Sequence, residues 1–471
     1  MGNACALEND DVMPLRAARL RAPVHEQGAR AQTPGSLGAF YQEKDRQELD
    51  SQDLFDAAMA GDARRTKWAL QAHADPNAAT EPVGLRALHL CAAQNHVKAA
   101  RILVEYEADV AAVDNHLGLS ALSMACLGGH PEAVRLLVTS GALLDGPEGD
   151  GGAPLLHAAR KNFAEVCEVL VNSGADVNAA FRKSEDPYRI SAALHCRNAT
   201  GSWRQVLYGI SRVPVDVLFV EGISALHLAA AHGSLRICGC LLEAGARANA
   251  VDVLQRSALM LAAEKGHTET VRLLLESSAT VCVDVEAYSA GTLAVRSGHV
   301  YVVEVLLDYN AMNIHAIPQL GGAAMIHVAV HNGQGGCTSA LCDRGADVNM
   351  PLQPGGIRPL MLAAAKGYTV ICKELLAYAA CVNDTDDEGK TAWMHAAAAG
   401  HTAVCIMLAH QGAGELAQRK EFLVDAVKAT DVRRQRVARE NYAMPNLSGI
   451  QFAVGQPAYQ TMSQQGEFYR A

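Results

Sequence analysis

A short segment that recurs along the chain at a nearly constant spacing limits the possible fold more than any other feature of the sequence. Similar short segments recur at spacings of 32 to 35 residues, with one longer interval of 39 residues. The anchor positions of these segments are Leu54, Leu88, Leu122, Leu155, Leu194, Leu226, Leu259, Gly291, Ile326, Leu360 and Trp393. A period in this range indicates a stack of small units, because a single unit cannot bury its own apolar face. The anchors therefore predict eleven stacked units rather than separate globular domains.

Seven residues after each anchor the chain carries glycine or asparagine. These turn positions are Gly61, Asn95, Gly129, Asn162, Gly201, Gly233, Gly266, Gly298, Gly333, Gly367 and Gly400. Both residue types enter the left-handed backbone region at low cost, and helices commonly end there. The segment after the turn has helical periodicity, as in residues 270–275 (TVRLLL). Each unit is therefore predicted to read helix, turn, helix and extended loop.

The units resemble ankyrin repeats, which start T-P-L-H-x-A-A-x-x-G-H and end L-L-x-x-G-A-D-V-N. The best matches to the start are residues 225–230 (ALHLAA) and 258–267 (ALMLAAEKGH). The end recurs as Ala-Asp-Val-Asn at residues 175–178 and 346–349. The resemblance implies an all-α solenoid of stacked helix-turn-helix units, with connecting hairpin loops, over residues 49–415.

The fifth unit, at about residues 181–218, fits the pattern least. It follows the 39-residue interval, and Arg197 and Asn198 occupy positions where other units have small residues. The polar residues 182–187 precede it and predict an enlarged loop. Two interpretations stay open. The unit is either a degenerate repeat that still carries the stack, or a specialised loop or hinge that divides two sub-arrays.

The residue patterns favour no catalytic or metal chemistry. Eleven of the 18 histidines recur at framework positions, after an anchor or after a turn residue. The resemblance implies that these histidines form structural hydrogen bonds between turns. No H-E-x-x-H motif occurs, the 13 cysteines contain no C-x-x-C pair, and residues 389–391 (GKT) lack the earlier glycine of a phosphate-binding loop. We therefore expect a protein that is not an enzyme and that uses no cofactor or metal.

Basic residues collect at two positions of the repeat although the net charge is −10. The resemblance implies that partners bind on the concave face, where the fifth and sixth positions after each anchor are expected to point. We predict a partner-binding surface at Arg160, Lys161, His232, Lys265, Arg296, His331 and Lys366, with loop-tip contacts at Leu117, Arg256 and Tyr288. This stripe favours an acidic segment of a partner protein, although an ordinary solvated face would carry charge too.

The two ends of the chain allow further interpretations. Gly2 and Cys5 resemble a dual acylation signal that would tether the protein to a membrane, although Ala6 stands where serine or threonine is usual. The rest of residues 1–48 is predicted to be a largely flexible extension. Residues 416–442 are predicted to form a capping helix, and residues 443–471 a flexible tail.

The composition also limits location and partners. No signal-peptide core and no long apolar run occur, so we expect a cytoplasmic monomer, or a membrane-associated one if the N-terminus is acylated. The acidic net charge predicts no nucleic-acid partner. The function is then a protein-binding scaffold or adaptor, a membrane-tethered adaptor, or a regulatory or targeting subunit of an enzyme. The fold alone does not decide between these three.

Overall fold

The computed structural model describes residues 51–80, 84–115, 118–145, 153–181, 222–277, 279, 289–315, 323–353 and 355–413. All of them belong to one of the two units into which the chain divides, Asp50–Ala471. The other unit, Met1–Leu49, lies outside the described residues. So do the acylation positions Gly2 and Cys5, and the capping helix predicted for residues 416–442.

Twenty helices and one short pair of strands form the described part, which confirms the all-α solenoid. The elements are α1 (51–60), α2 (Ala63–Gln71), β1 (Ala79–Thr80), β2 (Leu85–Arg86), α3 (Ala87–Ala93), α4 (Val97–Glu105), α5 (Ala121–Gly128), α6 (Pro131–Thr139), α7 (Pro154–Arg160), α8 (Ala164–Asn172), α9 (Ala225–His232), α10 (Leu235–Glu243), α11 (Ala258–Lys265), α12 (Thr268–Glu276), α13 (Ala290–Ser297), α14 (Val300–Asp308), α15 (Met325–His331), α16 (Gly335–Asp343), α17 (Pro359–Lys366), α18 (Thr369–Ala377), α19 (Ala392–Ala399) and α20 (Thr402–His410). Odd-numbered helices are the first helix of a unit, and even-numbered helices are the second.

The predicted turn residues end the first helices. All ten turn positions in the described part have positive φ, including Asn95 and Asn162 at 61°. The starts of several first helices are fixed by side chains that accept a hydrogen bond from the third helical amide. These N-cap residues are Ser120, Ser257, Ser289 and Thr391. Local residue types thus set both ends of these short helices.

The two helices of a unit bury different fractions of their surface. The first helix is buried almost throughout, as in α3, where all seven residues are buried. The second helix buries one stripe, for example Ala99, Ala100 and Leu103 of α4. The fourth position of this helix is filled by cysteine in four units, where the thiol serves as a small buried side chain. These residues are Cys167, Cys238, Cys372 and Cys405.

Histidines join neighbouring units, as the resemblance implied. At the start of a second helix, the ring Nε2 of His267 donates to the carbonyl of Ala231 at 3.0 Å, which is the fifth residue after the preceding anchor. The same type of bond is made by His96, His130, His299 and His401. The framework role predicted for these histidines is confirmed.

A second set of histidines fixes the start of the first helix to a hairpin. Nδ1 of His327 accepts from the amide of Ala324 at 3.2 Å, and Nε2 donates to the carbonyl of Met350 at 3.0 Å. Burial lowers the pKa of His327 to about 4. The imidazole is therefore neutral at pH 7, as one accepting and one donating ring nitrogen require. His89 and His227 make equivalent pairs of bonds.

The fourth and sixth units are direct neighbours in the stack. Helix α7 packs against α9, and α8 packs against α10. Their connecting hairpin pairs Ala180 with Ser224, and the amide of Phe181 donates to the carbonyl of Ile223 at 3.0 Å. The interpretation in which the fifth unit carries the stack does not fit this contact. A specialised loop at this place stays a prediction, because residues 182–221 lie outside the described residues.

The side-chain bonds across this junction match those between units that are consecutive in sequence. Asn349 donates to the carbonyl of Ala379 and accepts from the amide of Cys381, 30 and 32 residues away. Asn178 makes the same pair of bonds to Gly245 and Arg247, 67 and 69 residues away. The stack therefore continues from the fourth unit to the sixth through the ordinary interface.

Candidate partner-binding surface

The predicted binding positions lie where each first helix ends. In α11 these positions are Glu264 and Lys265, and Gly266 with φ of 81° turns the chain immediately afterwards. The first helices from α7 to α17 pack each against the next. Equivalent residues of these helices therefore form a row, one unit after another. Six residues at these two positions make up what we call the basic row: Lys161, His232, Lys265 and Lys366 at the sixth position after the anchor, and Arg296 and His331 at the fifth.

Members of the basic row differ in exposure. His232, Lys265 and Lys366 are exposed, whereas Lys161, Arg296 and His331 are half-buried. Lys265 and Lys366 take part in no ion pair within the described part of the chain. The row therefore offers two exposed ammonium groups, those of Lys265 in the seventh unit and Lys366 in the tenth.

The electrostatics of the row come from burial and from neighbouring cations. Burial and the nearby ammonium of Lys366 lower the pKa of His331 to about 4, so His331 is neutral at pH 7. Burial, with the guanidinium of Arg160, also lowers the pKa of Lys161. The interaction between His331 and Lys366 places the ninth and tenth units of the row close together. Positive charge is thus carried by the lysines and Arg296.

Two predicted contact residues are wrong. Arg160 is only 7% exposed, because α7 buries all seven of its residues, and burial lowers the pKa of Arg160 to about 10. Its carbonyl accepts from His232 at 2.9 Å, so Arg160 belongs to the unit interface. Arg256 forms an ion pair with the fully buried carboxylate of Asp252 at 2.8 Å and its side chain is 11% exposed. Arg256 therefore braces its own hairpin. The other two loop-tip residues, Leu117 and Tyr288, lie outside the described residues.

The second helices carry an uncharged row that was not predicted from the sequence. Their second residue is charged in every unit from α2 to α12, whereas the last four units have no charge there. In those units the residues are Tyr301, Gly336, Val370 and Ala403, all exposed. Tyr301 is 74% exposed and Val370 67%. The absence of charge at the second residue of the last four second helices is visible in the sequence and could have indicated this row.

A buried acid–base pair occurs in the last hairpin. The ring Nε2 of His395 lies 2.8 Å from Oδ2 of Asp386, and both side chains are at most 5% exposed. Oδ1 of Asp386 accepts from the amides of Glu388 and Lys390. Burial opposes ionisation of Asp386, but these amides and His395 together lower the pKa of its carboxyl. The pair holds the hairpin closed, as Asp252 does in an earlier unit.

Two other kinds of feature are absent from the described residues. No group of three or more histidine, cysteine, aspartate or glutamate side chains is placed there to hold a metal ion. No helix in this part is both long enough and apolar enough to cross a membrane.

Comparison with known proteins agrees with the architecture. The family model of ankyrin repeats (three copies) matches residues 54–145, 109–181, 204–286, 226–317 and 326–418. The chain is also 33% identical over 127 residues to the "Ankyrin repeat and KH domain-containing protein mask-1" of Caenorhabditis elegans. That match covers 26% of this chain and 5% of the relative. With the family model matching most of its length and its helix pairs stacked accordingly, the chain belongs to the ankyrin-repeat family.

Proposed function

We propose that this protein is a non-catalytic scaffold or adaptor that holds an acidic segment of a partner protein along the basic row. Ankyrin repeats are generally protein-interaction modules, which supports the class of function. The observation that carries the proposal is the direct contact between α7 and α9. Because of it, the basic positions of the fourth unit and of the sixth to tenth units follow one another without a gap.

The charge distribution along the array supports the same surface. At the two equivalent positions, the first three units and the last carry no charged residue. The basic row is therefore confined to the middle of the array, in a chain whose net charge is −10. A local patch of the opposite sign attracts acidic partners and raises their association rate. Cytoplasmic placement is part of the same proposal.

The test is a charge-reversal variant with a matched control. The binding variant combines Lys265→Glu and Lys366→Glu, and the control combines Lys67→Glu and Lys98→Glu, which are exposed lysines on α2 and α4. Arg160 is left unchanged, because a buried carboxylate there would unfold the unit. Each variant changes the net charge equally and should keep the circular dichroism of the wild type.

The measurement is an affinity pull-down from native lysate with a proteomic readout. We expect a defined set of partners with acidic segments to disappear with the binding variant and to remain with the control. The lost partners should rebind more weakly to the wild type as salt is raised, because the attraction is screened. The proposal fails if both variants keep the same partners, or if both lose them equally.

A membrane-tethered form of this scaffold is a second candidate, favoured by Gly2 and Cys5 alone. One acyl chain gives only reversible membrane binding, so stable tethering would need both sites. Metabolic labelling with fatty acids tests it. Label that is lost in Gly2→Ala supports tethering, and an unlabelled wild type excludes it.

A further inference from the structure

The eleventh unit is the last that the described residues contain, and two positions of its first helix are unusually exposed. The residue directly after the anchor is at most 2% exposed in the second to fourth and sixth to tenth units, and the residue four places after the anchor is fully buried in all of them. In the eleventh unit these residues are Met394 and Ala397, and both are half-buried. The hairpin that follows a unit covers the first of these positions, as the bond from His327 to the carbonyl of Met350 shows. The eleventh unit therefore has an apolar face where a following unit would pack.

The second helix of the eleventh unit adds a large apolar side chain to this face. The fifth residue of a second helix faces the next unit, because Arg135 of α6 pairs with Glu165 of α8 at 2.8 Å and the same two positions pair between α8 and α10. Among the ten second helices of the described part, this fifth residue is charged in seven and small in two. In α20 it is Ile406, which is 48% exposed. We call Met394, Ala397 and Ile406 the open end.

The chain leaves the eleventh unit along the path that elsewhere leads into the next unit. The side chain of Asn383 donates to the carbonyl of Gly412 at 3.1 Å, as Asn349 donates to that of Ala379 one unit earlier. In the earlier unit, the residues after this contact continue into the hairpin that packs on the following side of the stack. Residues 414–471 therefore begin beside the open end.

The residues that follow have the sequence pattern of an amphipathic helix. Within residues 416–427, which we call the C-terminal segment, Leu416, Leu423 and Val427 are spaced by seven and four residues. This spacing predicts one apolar helical face, with polar residues on the opposite face. A helix of this length is marginal in water by itself, so it needs an apolar surface against which to pack. The open end is such a surface, and the segment begins next to it.

We infer that the C-terminal segment forms a helix that docks with its apolar face on the open end. The inference is independent of the basic row, and it gives the capping helix predicted for residues 416–442 a surface to cover. Another copy of this chain is the competing occupant. A short tether gives the segment an effective concentration on the order of millimolar, so it outcompetes another copy at micromolar protein. The docked segment thus closes the array and prevents copies from stacking end to end.

Hydrogen exchange of the full-length protein, measured by mass spectrometry, tests the inference with two matched variants. Ile406→Arg places arginine on the open end, where α4 and α6 carry arginine at the same position. The control, Val370→Arg, places arginine at the second position of α18, as in α10. Each variant replaces an exposed branched side chain and adds one positive charge that other units tolerate. Both should therefore keep the circular dichroism of the wild type.

We expect the amides of the C-terminal segment to exchange at least about 100-fold more slowly than those of an unstructured chain, in the wild type and in Val370→Arg. In Ile406→Arg this protection should fall at least about tenfold. Exchange at the unstructured rate in the wild type, or equal protection in all three proteins, would overturn the docking. Protection that increases with protein concentration would overturn the choice of occupant in favour of another copy.

Discussion

Two junctions of this array make the same contacts from very different chain connections. Between the ninth and tenth units, Asn349 bridges to residues 30 and 32 positions further along. At the junction between the fourth and sixth units, which we call the interrupted junction, Asn178 makes the same two bonds to residues 67 and 69 positions away. Each junction also has a hairpin of paired backbone, Leu352 with Ile357 in one and Ala180 with Ser224 in the other.

The comparison shows that framework side chains, and not the length of the connecting chain, define a unit interface. Closing a longer connection costs free energy that grows only logarithmically with its length. The asparagine and hairpin contacts that it makes possible match those of the junction between the ninth and tenth units. Insertion at a loop tip therefore leaves the stack intact, and the basic row with it. The following predictions test whether the two junctions are energetically as alike as they are in geometry.

The largest effect is expected from the buried histidines next to each junction. His227 accepts from the amide of Ser224 and donates to the carbonyl of Arg256, as His327 does with Ala324 and Met350. Replacing either histidine by alanine leaves buried polar groups unpaired, which should lower the free energy of unfolding by about 2 kcal/mol or more. Urea unfolding followed by circular dichroism measures both variants. A much smaller loss in His227→Ala would show that the start of α9, where Ser224 pairs with Ala180 across the junction between the fourth and sixth units, is held more loosely than the start of α15.

The same histidines should make stability depend on pH. The pKa of His327 is lowered to about 4 in the folded protein from 6.5, and that of His227 is lowered too. Between about pH 6.5 and 4 the unfolded chain binds protons that the folded chain does not, so stability falls as pH falls. For His327 the slope approaches about 1 kcal/mol per pH unit. Unfolding midpoints of His327→Ala and wild type should therefore converge towards pH 4, and a constant difference would contradict this.

A smaller and equal effect is expected from the two asparagines. Asn178→Ala and Asn349→Ala each remove two hydrogen bonds near the surface, and each should cost about 1 kcal/mol. The measurement is again urea unfolding, with the two variants compared side by side. The two junctions are equivalent if these losses agree. If Asn178→Ala has no effect while Asn349→Ala destabilises the protein, the bridging contact at the interrupted junction is not formed in solution.

The smallest effect should come from the largest change in sequence. Replacing residues 182–221 by an Asn-Gly turn between Phe181 and Gly222 joins two residues whose backbones are already paired. We expect the helical circular dichroism per remaining unit to be kept and stability to change by less than about 1 kcal/mol. Asn178→Ala introduced into this deletion should cost the same as in the full chain. Loss of cooperative unfolding on deletion would mean that the direct stacking depends on the removed residues.

Features set by local conformation could be predicted from the sequence. The turn residues were identified from spacing alone, because the left-handed backbone that ends each first helix is a requirement of the residue itself. The role of the histidines at the starts of second helices was implied by the resemblance to ankyrin repeats, and the structure shows the same bond at each of them. Cysteine also recurs at the fourth position of second helices, where the buried thiol serves as a small apolar side chain.

Features that depend on which units and side chains pack against each other in the folded stack could not be predicted in this way. Arg160 was predicted to face a partner because it is the fifth residue after the anchor Leu155. Its burial depends on the packing of α7, which the chain order does not reveal. Arg256 was mistaken for a loop-tip contact, although Asp252 four residues earlier could have suggested the ion pair. The sequence therefore predicted the positions of a candidate surface, while the direct stacking of the fourth unit on the sixth became apparent only in the structure.

The buried thiols of the second helices can report when individual units of the array open. Burial raises the pKa of Cys167, Cys238 and Cys372 to about 12, and only a thiolate reacts quickly with an alkylating reagent. These cysteines become reactive when their own unit opens, whereas Cys381 is exposed from the start. The alkylation rate of each cysteine, measured by peptide mass spectrometry, would then report how often its unit opens. The native cysteines allow this measurement on both sides of the interrupted junction without any introduced label.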